Sequence, residues 1–228
     1  MKKKKSNTRK WIEDIVFVVI AVLLIRAYVV QAYRIPSGSM EQTLLIGDHL
    51  FACKFWYGIR IPFTDKRVLE FWKPRQKDVI VFRFPYERKD FVKRCVALGG
   101  DVVEIRNKQL YVNNKLLYEP YVCHKDSFLY ERLEIPAFEY QQAWERGEFR
   151  NAGAMIRDNF GPVRVPPGCV FMIGDNRDYS FDSRFWGPLK KKWLLGKALI
   201  LYFSWDNEPP LYKIWKKARW RRIGDIIQ

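Results

Sequence analysis

Residues 78–84 (DVIVFRF) and 91–98 (FVKRCVAL) decide how this chain folds. Both are short runs of β-branched and aromatic residues, the composition that fits a pleated, buried surface. Outward from them the pattern continues. Gly99-Gly100-Asp101 is a turn, and 102–106 is a further strand. Residues 109–112, the pair Asn113-Asn114 and 115–118 read as a hairpin. Pro166-Pro167-Gly168 turns the chain into 169–173. Only 139–146 (EYQQAWER) has helical character in the middle of the chain, and 119–160 is polar and irregular, an insertion on the core. No repeat is visible. The expected fold is mainly β.

The chain has 228 residues, 48% hydrophobic and 29% charged, enough for one sizeable core. Its net charge is +16, with 41 Lys/Arg against 25 Asp/Glu. Six basic residues fall in 1–10 and six more in 213–228, against a single acid, which leaves about +5 for 11–212. The excess therefore sits in two tails rather than on a broad basic face. That argues against a nucleic-acid-binding domain and for contact with an anionic membrane surface.

The N-terminal region supports this. A basic flank, Lys2 to Lys5, precedes eleven unbroken apolar residues at 15–25, and after Arg26 the apolar character resumes. Counted from Trp11 to Tyr33, the stretch is expected to be a single transmembrane helix, with Trp11, Tyr28 and Tyr33 at its ends and Arg26 snorkelling. The preceding basic flank predicts a cytoplasmic N-terminus and a body on the outer face. A cleaved signal peptide is the competing reading, with Val30-Gln31-Ala32 as its cleavage site; Arg26 weighs against it. The expected organisation is thus a basic tail (1–10), a membrane segment (11–33), a β domain (34–212) and a basic, Trp-containing tail (213–228), solvated or interfacial.

Cys53, Cys95, Cys123 and Cys169 contain no C-x-x-C, and the spacings assign neither a zinc site nor a disulfide pairing. No metal and no cofactor are expected. Phosphate-loop, dinucleotide, H-E-x-x-H, G-x-S-x-G and S-x-x-K signatures are absent. His49 and His124 lie in no recognisable motif, so a Ser-His-Asp triad is poorly supplied.

Two segments carry chemistry. Pro36-Ser37-Gly38-Ser39-Met40 is a turn able to hold a hydroxyl forward; alone it reads more readily as a flexible polar linker between anchor and body. Residues 174–187 (GDNRDYSFDSRFWG) pack acids, arginines and serines together, as a solvated loop would or as an internally paired loop holding a site. Together with FVKR in a strand, these motifs, in this order and spacing after an N-terminal membrane segment, resemble the bacterial type I signal peptidases over roughly 34–201.

The resemblance implies an almost all-β catalytic domain behind a membrane helix, in the bacterial inner membrane. It implies a serine endopeptidase that cuts exported preproteins after A-x-A-like sites. Ser39 would be the nucleophile and Lys93 its general base. Ser37 would serve the oxyanion hole beside the Ser39 N–H, and Ser180 would orient the Lys93 amine. Asp175, Asp182, Arg184 and Arg94 would be structural supports, and Ile35, Met40, Leu44 and Val92 would line the substrate pockets. Its partners would be secreted preproteins, membrane lipid and the secretion machinery. The chain departs from the family pattern at Gln42, where proline is common, at Gly99, where the turn is often L-P-G-D, and at Tyr179, where asparagine is usual.

Elementary chemistry makes the assignment coherent. A serine hydroxyl needs a base. A lysine serves only when neutral, which burial makes possible near neutral pH. On a strand, Lys93 and Arg94 point to opposite faces, so the guanidinium need not share the lysine's pocket. Three alternatives remain open: a soluble self-cleaving Ser-Lys protease, a Ser-Lys processing protease with a dedicated substrate, and a membrane-anchored binding protein in which Ser39 and Lys93 do no chemistry.

Overall fold

The computed structural model describes residues 7–60, 67–68, 72–208, 210, 212 and 214–228. Helix α1 (Asn7–Tyr28) runs into β1 (Val30–Arg34), and β2 (Asp48–Cys53) pairs back on β1 antiparallel. The short strands β3 (Ile59–Arg60) and β4 (Arg67–Val68) pair with each other. Then come β5 (Val79–Arg83), β6 (Asp90–Leu98), β7 (Val102–Arg106), β8 (Gln109–Val112) and β9 (Lys115–Leu116). Helix α2 (Ala137–Arg146) precedes β10 (Phe160–Arg164) and β11 (Cys169–Ile173). Helix α3 (Ser183–Trp186), β12 (Leu189–Lys190), β13 (Leu194–Ser204) and the short α4 (Ile214–Lys217) complete the order. The main sheet runs β1-β2-β13-β5-β6-β11-β12, and a second sheet runs β10-β7-β8-β9; every pairing is antiparallel.

Strand β5 lies between β13 and β6 and is buried on both faces, which is why it reads as a continuous apolar run. Val79 and Val81 pack with Leu50, Ala198 and Leu201 on one side; Ile80 and Phe82 pack with Cys95, Val170 and Met172 on the other. Each such buried aliphatic side chain contributes about 1.5–3 kcal/mol. The segment 119–160 is less irregular than expected. Its helix α2 and the turns after it place Tyr140, Trp144, Phe149 and Ile156 in the core between the two sheets.

The membrane-spanning reading of 11–33 gains no support from the structure. Among the described residues no helix is long and apolar enough to cross a membrane. Helix α1 stops at Tyr28, and Tyr33 belongs to β1. Glu13, Asp14 and Arg26 bracket the apolar run and break its apolar character within the helix. The single-pass topology and its orientation have no such helix to rest on. The basic flank at 2–5 lies outside the described residues. The segment set apart as a C-terminal tail is bonded into the body from Ala218 onward: Arg219 N–H donates to Ser204 O, Gly224 N–H to Leu201 O and Ile227 N–H to Leu199 O.

Candidate active site

Ser39 sits in a single 3-10 turn (Gly38–Met40) between extended Ser37 and the loop to β2. The turn is seated by its apolar neighbours: Ile35, Met40 and Leu44 are buried in one cluster with Leu50 and Val79. From the far side of the sheet, β6 delivers Lys93, which is opposite Ile80 on β5 and only 4% exposed. Lys93 Nζ lies 2.5 Å from Ser39 Oγ. Ser37 Oγ is 3.5 Å from the same oxygen. Among the described residues no carboxylate lies within ion-pair distance of the Lys93 amine. Burial pushes its pKa down to about 8; the Asp182 and Asp175 carboxylates pull upward, and the Arg184 guanidinium pushes downward.

The supports form two buried pairs. Arg94 spends five donor contacts: Nε and Nη2 on the two oxygens of Asp175 (2.8 and 2.7 Å), Nη1 on Lys77 O and Gln228 O, and Nη2 also on Thr43 Oγ1. Thr43 Oγ1 in turn donates to Asp175 at 2.6 Å, tying the loop after Ser39 to this pair. Tyr121 covers the guanidinium at 3.7 Å. Asp182 caps α3 and accepts both Nε and Nη2 of Arg184 at 2.8 Å, and also the Gly174 N–H. Burial works against the Asp182 charge, but the Arg184 guanidinium and these bonds outweigh it and hold its pKa below the usual carboxylate range. All four side chains are fully buried.

Gly174 lets the 174–180 loop lie against the Ser39 turn, because a Cβ there would meet Ser180 and come within 2.5 Å of Ser39 O. Ser180 Oγ is buried and makes no hydrogen bond of regular geometry. It helps keep Asp182 charged, but no bond joins it to Lys93. A cavity of about 570 Å³ opens at Ser39 and Lys93, walled by residues 33–37 and 89–93 and completed by Tyr179 and Phe181. Ile35, Met40 and Val92 line it. Leu44 does not; it is fully buried beneath the turn, where it packs rather than contacts the cavity. The loop departure at Gln42 has a structural counterpart: its φ of 89° is a conformation that proline, held near −65°, cannot adopt.

A family model described as "Signal peptidase, peptidase S26" matches residues 8–204. This chain belongs to that family. A signal peptidase I of Pseudomonas fluorescens is 38% identical over 227 residues, covering 92% of this chain and 76% of the relative. One from Pseudomonas aeruginosa is 37% identical, with the same coverage of both chains. A crystal structure of a signal peptidase I from Enterococcus faecalis V583 shares 28% identity and covers 55% of this chain and 97% of its own, at a TM-score of 0.38. The protein is accordingly a hydrolase, a serine endopeptidase of the signal peptidase family, and its mainly β architecture agrees with the expectation from sequence.

Residues that sequence reasoning left out of the site are Thr43, Tyr121 and Asn176. Asn176 stands inside the quoted 174–187 run, but nothing in its sequence context distinguishes it from the charged residues around it. Thr43 and Tyr121 carry no local signal, since each acts through a partner remote in sequence: Thr43 through Arg94 and Asp175, Tyr121 through Arg94.

Proposed function

We propose that this signal peptidase family member removes signal peptides from exported preproteins through a Ser39 nucleophile and a neutral Lys93 base, cutting after A-x-A-like sites. The observation that carries the reading is the 2.5 Å approach of a buried lysine, unpaired with any described carboxylate, to a half-buried serine hydroxyl at the floor of a peptide-sized cleft. Lys93 takes the Ser39 proton as Oγ attacks the scissile carbonyl carbon. The Ser39 N–H and the Ser37 hydroxyl hold the developing oxyanion. The ammonium then returns its proton to the leaving amine. Water, activated by the same lysine, releases the acyl group from Ser39 and restores both side chains.

The substrate lies extended. Strand β1 is a sheet edge, and the β6–β11 pairing ends at Arg94, so residues 90–93 offer backbone on their outer side. A peptide between 33–37 and 90–93 adds strand-like bonds to both and sends alternate side chains toward Ile35, Met40 and Val92, where small residues fit. Ser180 would steady the Lys93 side chain once substrate closes the site, and the Arg94–Asp175 and Asp182–Arg184 pairs hold the loops that carry it. Helix α1 exposes Ile15, Val16, Phe17, Val18, Val19 and Ile20, and lipid is the medium that would cover them. Lipid contact through this helix would bring the cleft near the membrane from which preproteins emerge and would raise the effective substrate concentration.

The test is cleavage of a purified preprotein in detergent, with the new N-terminus sequenced and Ser39→Ala, Lys93→Ala and a chelator run in parallel. Cleavage after A-x-A, lost in both variants and indifferent to chelator, is the expected result. Unchanged cleavage by Ser39→Ala would overturn the reading.

A further inference from the structure

We infer that Asn176 is a positioning residue that aims the Ser39 N–H at the substrate's developing oxyanion, an inference that rests on the Ser39–Lys93 reading above. The Gly38 carbonyl and the Ser39 N–H belong to one peptide unit. That unit is trans and planar, so the two groups point in opposite directions, and whatever holds the carbonyl also sets the direction of the N–H. Asn176 Nδ2 donates to Gly38 O at 3.2 Å, alongside the Glu41 N–H at 3.1 Å. The Asn176 backbone N–H donates to Ser39 O at 3.2 Å, so the peptide on the other side of the nucleophile is held by the same residue.

Asn176 is itself held firmly. It is 1% exposed, and it bridges in parallel to Cys123: Cys123 N–H donates to Asp175 O at 2.9 Å and Arg177 N–H to Cys123 O at 3.0 Å. Its Nδ2 also reaches Glu41 Oε2 at 3.2 Å, and Lys125 holds that carboxylate at 2.6 Å. Segment 119–126, an insertion by sequence, thus forms the outer wall of a brace around the nucleophile. Both partners of the Asn176 amide are acceptors, which fixes the nitrogen toward them and leaves Oδ1 buried without a hydrogen bond. Folding alone disfavours such an orphaned acceptor, whereas a donor aimed at Gly38 O accounts for it.

The experiment compares Asn176→Ala and Asn176→Asp with wild type and Ser39→Ala, with rates expressed per folded molecule. Three quantities are read: cleavage kinetics across pH, affinity for an uncleavable peptide, and affinity for a peptide aldehyde whose hemiacetal oxygen takes the oxyanion position. Loss of a whole oxyanion donor costs roughly 10²–10³ in rate, so a misaimed donor is expected to cost about ten- to a hundredfold in kcat. KM, the affinity for the uncleavable peptide and the pH midpoint stay unchanged, while the aldehyde weakens by the same factor as kcat/KM. Asn176→Asp keeps the volume and the backbone bonds but sets an acid against Gly38 O and Glu41, so it loses at least as much.

Equal weakening of aldehyde and peptide, a moved pH midpoint, an unchanged kcat, or failure of both variants to fold would each overturn the inference. If Ser39→Ala still cleaves, the underlying reading falls instead; if Ser39→Ala is dead and Asn176→Ala is fully active, only this inference falls.

Discussion

Lys93 and Arg94 are neighbours on β6, yet the regions around them treat positive charge in opposite ways. Around Arg94 every contact is a charge-assisted or carbonyl bond, five in all, with an aromatic ring above. Around Lys93 there is burial, one hydroxyl and no ion-pair partner among the described residues. The first environment stabilises a permanent charge and ties together the Ser39 loop, β6 and the 174–187 loop. The second makes a charge easy to lose. The difference teaches that stiffness and reactivity are kept apart by a single residue step on a strand, with alternation providing the separation.

The largest test of this contrast is on activity. Ser39→Ala and Lys93→Met should each lower kcat by about 10⁴ or more, since nucleophile and base act as a unit. Lys93→Arg should be as inactive as Lys93→Met, because a guanidinium does not deprotonate. Residual cleavage by Lys93→Arg above one per cent would break the contrast.

Next is the structural side. Asp175→Ala strands Arg94 as a buried, unpaired charge and should destabilise the fold by about 3–5 kcal/mol, read from denaturant midpoints. A change near zero would mean that the pair only decorates the loops.

The pH dependence of the rate comes third. The base must be neutral, so kcat/KM should rise with pH and level off above a midpoint near 8; between pH 6 and pH 8 the gain is about fiftyfold. A profile flat over that range would remove Lys93 from the proton path.

The smallest effect sharpens the contrast most. Folded Lys93 titrates near 8 and the unfolded chain near 10.5, so the unfolded chain binds more protons between those values. Stability therefore rises with pH through that window, and below pH 8 the buried ammonium costs about 3 kcal/mol. Lys93→Met should thus gain stability at pH 7, by about 1–3 kcal/mol, and the gain should fade toward pH 10.5. Arg94→Met, which strands Asp175 instead, should lose stability at both values.

Much of the fold was legible because it is local. Residues 102–106, 109–112 and 169–173 became strands with the expected bounds, and 139–146 became helix α2 with two residues added at its start. Strand β1 was hidden inside an apolar run that reads equally well as helix, and pairing with β2 decided between them. Strand β13, the longest of all, interleaves Gly196 and Lys197 with apolar residues and shows no clean alternation. Its register shifts against both β2 and β5 explain why no simple period marks it.

The sequence by itself determined the family, the order of the motifs, and which hydroxyl and which amine stand as candidates, because those are properties of residue identity and spacing. Only the tertiary structure decided that Ser39 and Lys93 meet across fifty-four positions and that Arg94 belongs to Asp175. It also decided that Leu44 packs beneath the cleft and that Asn176 grips the peptide of the nucleophile. Hydrogen bonds between remote segments and the exclusion of water from Lys93 come into being only when the sheet closes, so no local pattern encodes them.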